Sequence, residues 1–199
     1  TFLQRAYDQL IHDVAVQNLD VTFALDRAGL VGEDGPTHSG NYDIAYLRCI
    51  PNVILMTPSS ENETRLLLST AYNHKGPAAV RYPRGTGPNS SIDPTLKSLE
   101  IGKARLVREG SSSIVFLNFG ALLDQAEIVS KEMDMTLIDM RFVKPLDEEL
   151  LCKYLNNASM FLSLEDGSIS GGAGSAVQEF CGRNNIIIKS MLFGIPDEF

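Results

Sequence analysis

The chain has 199 residues, 44% of them hydrophobic and 21% charged, with a formal net charge of -8. That length suits one large domain or two small ones, and the composition is that of a globular chain, not a disordered one. The acidic balance argues against nucleic-acid binding, which needs a basic face, and obliges any anionic substrate to be held by a local cluster of arginines. No apolar run approaches the roughly 20 residues that a membrane span requires, and the first residues lack the layout of a signal peptide. Cys49, Cys152 and Cys181 are odd in number and widely spaced, which favours a reducing compartment and argues against a zinc site.

In chain order, Leu3, Ala6, Tyr7, Leu10 and Val14 recur at helical spacing and predict an amphipathic helix over residues 2–18. Val21–Leu25 reads as a buried strand. It feeds a loop, Asp26 to Gly40, rich in glycine and in Arg27, Asp34 and His38. Residues 42–48 fit a short helix, and Val53–Thr57 a second apolar strand. Ser60 and Glu63 form a capping-box pattern opening a helix through Ala71. Ala78–Tyr82 is a third strand. Continuous apolar strands alternating with helices signal a parallel sheet covered on both faces. Three strands are few for such a sheet, which places the missing ones upstream. The opening at Thr1 and the closing loop at residues 194–199 likewise read as the ends of a piece of a longer polypeptide.

Residues 86–99 lose their apolar period and read as a linker. Beyond it, Lys103–Gly110 and Ser113–Gly120 look like a hairpin or adjacent strands. A helix follows from Leu122 to Glu132, and then a strand over Met135–Asp139. Asp147 caps a helix through Leu155, with Glu148 and Glu149 in its first turn. Ser159–Leu164 is a strand, Gly171–Ser175 opens a helix to Cys181, and Ile186–Lys189 is the last strand. The expectation is α/β throughout: two three-layer αβα units with mainly parallel sheets, the first incomplete at its N-terminal side.

Chemistry concentrates at the loop. His38 can shuttle protons near neutral pH, Asp34 can hold a hydroxyl or orient His38, and Arg27 can bind a phosphate or carboxylate in a fork. A loop held by its own hydrogen bonds, with the arginine paired to the aspartates, has the same composition. Arg81-Tyr82-Pro83-Arg84-Gly85 ends the third strand on the same sheet edge, so arginines from two strand ends could form an anion clamp; a salt-bridged rim is the alternative. Gly171-Gly172-Ala173-Gly174-Ser175 lacks the lysine of a P-loop and fits close packing better than a phosphate cradle. His12 and His74 read as structural or solvated, and no His, Cys and carboxylate cluster has metal spacing.

Thr1–Gln9, Asp26–Gly29, Asp34–Gly40 and Arg81–Gly85 together resemble the 1-deoxy-D-xylulose-5-phosphate synthases, transketolase-like enzymes. So do Asp139–Asp147 and Glu165-Asp166 followed by Gly171–Ser175. The resemblance implies the later part of a pyrimidine-binding domain over residues 1–90, a linker over 91–100 and a transketolase C-terminal-like domain over 101–199. It implies a cytoplasmic, homodimeric transferase dependent on thiamin diphosphate and Mg2+. Such an enzyme condenses pyruvate, with loss of CO2, and D-glyceraldehyde 3-phosphate for isoprenoid precursors, thiamin and pyridoxal phosphate. Phe2 matches the aromatic that packs on the cofactor's aminopyrimidine, and Arg5 an arginine lining that pocket. Arg27 and Arg84 match the pair that holds the aldehyde's phosphate. Asp34 and His38 match polar groups near the reacting carbons, with His38 a candidate for proton transfer. The activating glutamate and the Mg2+ ligands are expected outside this chain, leaving it catalytically incomplete without the remaining segments. A 2-oxoacid dehydrogenase β subunit, another transketolase-like enzyme and a non-catalytic dimerisation module are the alternatives.

Overall fold

A computed structural model describes residues 2–85, 87 and 91–198. Thr1 of the first motif, Thr86 and residues 88–90 at the head of the expected linker, and Phe199 of the closing loop lie outside the described residues. The first helical stretch runs as a 3-10 turn (Phe2–Ala6), an α turn (α1, Tyr7–Gln9) and a π segment (Leu10–Ala15), with Leu10 and Ala15 buried. Strand β1 (Thr22–Leu25), helix α2 (Asp43–Arg48), β2 (Ile54–Met56), α3 (Glu61–Asn73) and β3 (Ala78–Arg81) follow as expected. The backbone N–H of Glu63 donates to Ser60 Oγ, so the predicted cap forms.

The second half contributes β4 (Arg105–Arg108), β5 (Ile114–Phe119), α4 (Leu123–Glu132), β6 (Thr136–Asp139), β7 (Phe142–Lys144), α5 (Glu148–Leu155), β8 (Met160–Ser168), α6 (Ala173–Arg183) and β9 (Lys189–Ile195). Two sheets result, ordered β1-β3-β2-β7 and β4-β6-β5-β8-β9. All pairings are parallel except β2 with β7 and β4 with β6. Helix α4 packs on β5 and β6, and α6 on β8 and β9.

Two expectations are corrected. β4 and β5 are neither a hairpin nor neighbours, because β6 lies between them, antiparallel to β4 and parallel to β5. The physical reason is burial: β5 is apolar and belongs in the sheet interior, while β4, with Arg105 and Arg108, suits an edge. The last strand begins at Lys189, where it was expected to end. Ile186 and Ile188 pack on the core while Ile187 is fully exposed, so the apolar run is a connection. In addition, β7, a stretch to which the sequence pattern assigns no element, lies antiparallel along β2, pairing Met56 with Phe142 and Leu55 with Lys144. The first sheet therefore gains its fourth strand from downstream.

β7 is one of the contacts that join the two halves. A single buried cluster takes in Leu25, Ile44, Leu55 and Ala79 from the first half and Leu117, Phe119, Phe161 and Val177 from the second. Polar groups seal the same seam. Arg141 donates to both carboxylate oxygens of Glu63 at 2.8 Å, and buried Asp139 accepts from Ser59 Oγ at 2.7 Å and from Arg105 Nη2 at 2.9 Å. Burial nevertheless pushes the Asp139 carboxyl above its ordinary pKa, against the pull of Ser59 and Arg105.

Candidate active site

β1 ends at Leu25, and the loop departs with Arg27 in the left-handed region at φ 58°. Its neck is closed by a two-residue pairing: Gly29 N donates to Gly40 O at 3.0 Å, and Gly40 N to Gly29 O at 2.9 Å. Gly29 is required there twice over. Its φ is 72°, and a Cβ would stand 2.8 Å from the carbonyl oxygen of Asp166. Beyond the neck the chain makes two short 3-10 turns, Gly32–Asp34 and Pro36–His38.

The expected arginine pair does converge, and it converges on Asp34. Arg27 Nε donates to Asp34 Oδ2 at 3.3 Å, and Arg84 Nη1 lies 2.6 Å from the same oxygen. Arg27 Nη1 also bonds Asp26 Oδ2 at 2.6 Å, and Arg84 Nη2 reaches Glu33 Oε1 at 3.4 Å. Desolvation pushes the Asp34 carboxyl up, but the two guanidinium groups prevail and hold it below the usual carboxylate range. Two arginines sharing one carboxylate oxygen are spaced to share one phosphate oxygen.

A second group forms alongside. The His38 ring meets the Phe2 ring edge-on at 5.2 Å between centroids, and Arg5 Cζ sits 5.4 Å from the centre of the Phe2 ring. His38 Nδ1 bonds Thr37 Oγ1 at 3.0 Å. The imidazole's side-chain partner is thus Thr37, while Asp34, one of whose two expected roles is to orient His38, is taken up by Arg27 and Arg84. Phe2 remains half-exposed.

Arg81 was read as part of the clamp segment, but it is fully buried and serves another purpose. Its Nε donates to Asp43 Oδ2 at 3.0 Å, its Nη1 to Asp166 Oδ1, and its Nη2 to Gly40 O at 3.1 Å. Desolvation works against its charge, but Asp166 and Asp43 outweigh it and raise its pKa. Glu165 was also overlooked as an individual residue. Its carboxylate accepts from Ala173 N at 2.8 Å and Gly174 N at 2.9 Å, so α6 carries its own anion at its N-terminus, in keeping with the packing reading of the glycine turn. Burial pushes Glu165 up despite those bonds. The signal was available: an acid leading into a glycine-rich helix start.

A cleft of about 830 Å³ lies beside the loop and not at the arginine pair. Ala28, Leu30, Pro83, Leu122 and Asp166 are among its walls, and none of Arg27, Arg84 and His38 lines it. Charge convergence locates the polar chemistry more directly than volume does. Among the described residues no group of three His, Cys, Asp or Glu could hold a metal ion, and no helix is long and apolar enough to cross a membrane.

Residues 1–89 match the family "Transketolase, pyrimidine binding domain", and residues 102–198 match "Transketolase, C-terminal domain". Sheets, loop and family match agree: the chain belongs to the transketolase family. Within it, all 199 residues align at 59% identity with the 1-deoxy-D-xylulose-5-phosphate synthase of Pseudomonas syringae pv. syringae and at 57% with that of Hahella chejuensis. The chain spans 31% of the length of each of these relatives. A solved split-gene transketolase, in an inactive β4 tetramer, superposes with a TM-score of 0.85 at 26% identity, over 100% of this chain and 65% of its own.

Proposed function

We propose that the chain supplies the acceptor-substrate and pyrimidine side of a 1-deoxy-D-xylulose-5-phosphate synthase. The observation that carries this reading is the meeting of Arg27 and Arg84 on one carboxylate oxygen. Asp34 holds the fork open, and the phosphate of D-glyceraldehyde 3-phosphate replaces its carboxylate there. A fork preformed in this way limits the ordering cost of binding a small anion. His38, set against Phe2 and fixed by Thr37, is the proton-transfer group for the aldehyde carbonyl, and Asp34, once released, is the neighbouring acceptor for a substrate hydroxyl.

Phe2 and Arg5 fit the pyrimidine of thiamin diphosphate: a half-exposed aromatic ring, braced edge-on by His38, with a guanidinium over it. Thiamin diphosphate, when bound, supplies the electron sink through which pyruvate loses CO2. The diphosphate and its Mg2+ belong, in this reading, to the part of the relatives' length that this chain does not span. The same reading makes residues 1–90 and 101–199 two domains joined by residues 91–100, in a cytoplasmic homodimer.

The test is substrate-selective kinetics in the full-length enzyme. Losing one charge-assisted phosphate contact, worth about 2 to 3 kcal/mol, should raise the glyceraldehyde-3-phosphate KM roughly 30- to 150-fold in Arg27→Ala or Arg84→Ala. The pyruvate KM should stay within about twofold. Equal losses for both substrates would sink the clamp.

A further inference from the structure

The second domain does more than pack against the first. We propose that Asp166, on β8, and its partner Arg81 are positioning residues that hold the neck of the Arg27–His38 loop, so that the second sheet sets the geometry of the phosphate fork. The inference rests on the clamp reading above and extends it to a part of the chain with no assigned role in the reaction.

The loop leaves and re-enters the first domain within a narrow neck, between Ala28 and Asn41. β8 touches both sides of it. On the outgoing side the Asp166 carbonyl closes on Gly29 so tightly that a Cβ would come within 2.8 Å. On the returning side Ser168 N donates to Asn41 O at 2.7 Å. Between them the Arg81 guanidinium spans the gap, bonding Gly40 O at 3.1 Å, Asp43 Oδ2 at 3.0 Å and Asp166 Oδ1. Ala28 N in turn donates to Tyr82 O at 3.0 Å, which ties the neck to the strand end that leads to Arg84. One buried cation thus ties the end of β3, which leads to Arg84, to the returning side of the loop and to β8, while the backbone bond of Ala28 ties the outgoing side to the same strand end.

These contacts converge on the neck of the loop, not on the centre of either sheet. A buried guanidinium with two carboxylates is a costly element, and removing one partner leaves an uncompensated charge that relaxes toward water. The route it opens is at the neck, because Asp166 retains 16% side-chain exposure while Asp43 has none. Loosening there tilts Arg27 relative to Arg84, and a displacement of about 1 Å is enough to cost binding and rate.

The experiment uses the full-length enzyme carrying Asp166→Asn, with Arg27→Ala in parallel. Expected for Asp166→Asn is a glyceraldehyde-3-phosphate KM raised roughly tenfold or more, a pyruvate KM within about twofold, and faster amide exchange across residues 28–41 than across β1 and β3. Where Asp166→Asn fails to fold, Asp166→Glu keeps the charge and displaces the carboxylate, and the same split is expected at smaller size. Equal shifts in both KM values, with exchange rising throughout, would mark a merely structural contact and overturn the inference. An unchanged aldehyde KM in Asp166→Asn beside a raised one in Arg27→Ala overturns it and leaves the clamp standing. An unchanged KM in Arg27→Ala itself removes the clamp, and this inference with it.

Discussion

Asp34 occupies the place of the anion that the two arginines are proposed to bind, and this has a measurable consequence. Its bonds to Arg27 and Arg84 must break before phosphate enters, so the internal carboxylate competes with ligand. Exposed pairs of this kind are individually weak, because solvent screens them. Asp34→Asn should therefore lower the inhibition constant of inorganic phosphate roughly two- to fivefold, read as competition against glyceraldehyde 3-phosphate. An unchanged or higher constant would show that Asp34 does not gate the fork. At this scale the sequence was informative about residue type and silent about partners. Arg27, Asp34, Arg84 and His38 were identifiable because guanidinium, carboxylate and imidazole carry recognisable chemistry. Arg81 sits three residues from Arg84 in the same segment, and nothing in composition separates the buried guanidinium from the half-exposed one. Only the approach of Asp166, 85 positions away, does so.

The elements were legible where periodicity is local. α3 and α5 announce themselves by their caps and α6 by its glycine-rich start, and Asp147 accepts from Leu150 N as its position suggests. Pairing was not legible: the turn between β4 and β5 has hairpin composition, but the partner of β4 is chosen by burial across the sheet. That edge is instead pinned from the other side by Asp134, whose carboxylate takes Ser111 Oγ at 2.5 Å and Arg108 Nη2 at 2.8 Å. The Ser111 hydroxyl, then Arg108, hold the Asp134 pKa down at about 2. A folded pKa below the unfolded value contributes stability that is present above about pH 4 and lost as pH falls toward 2. Asp134 has φ 49°, a conformation that asparagine adopts equally well, so Asp134→Asn removes charge without adding backbone strain. The variant should melt below wild type at pH 6, with the gap closing between pH 4 and pH 2. A gap of constant size across that range would assign the effect to something other than this carboxylate.

At the scale of the molecule, the division into two sheets hides a shared interior. Ser60 and Glu63 formed a capping box in the sequence, and only half of it is built: the Glu63 side chain turns away from the helix start to grip Arg141 across the seam. Both side chains are largely buried, so Glu63→Gln leaves Arg141 without its charge partner. A loss of about 3 kcal/mol is expected, against about 1 kcal/mol for Ser60→Ala, which removes only the cap. Chemical denaturation followed by circular dichroism suits a chain without tryptophan and should give one transition for both variants. Two resolved transitions in wild type would mean that the halves fold independently. The seam escaped sequence reading for a physical reason. β7 has three residues, too few to display a period, and its partner β2 lies almost ninety positions earlier.

That strand has a consequence for how the chain is made. A ribosome delivers β1, β2 and β3 first, and the β2 edge then has unpaired N–H and C=O groups until Phe142–Lys144 emerge. During that interval the nascent first domain exposes a template for any extended segment nearby, including its twin on an adjacent ribosome. The stretch between β3 and β4 is thus a poor place to cut the coding sequence. A fragment ending there lacks its fourth strand, and a peptide supplying residues 140–146 in trans is the natural way to close the edge.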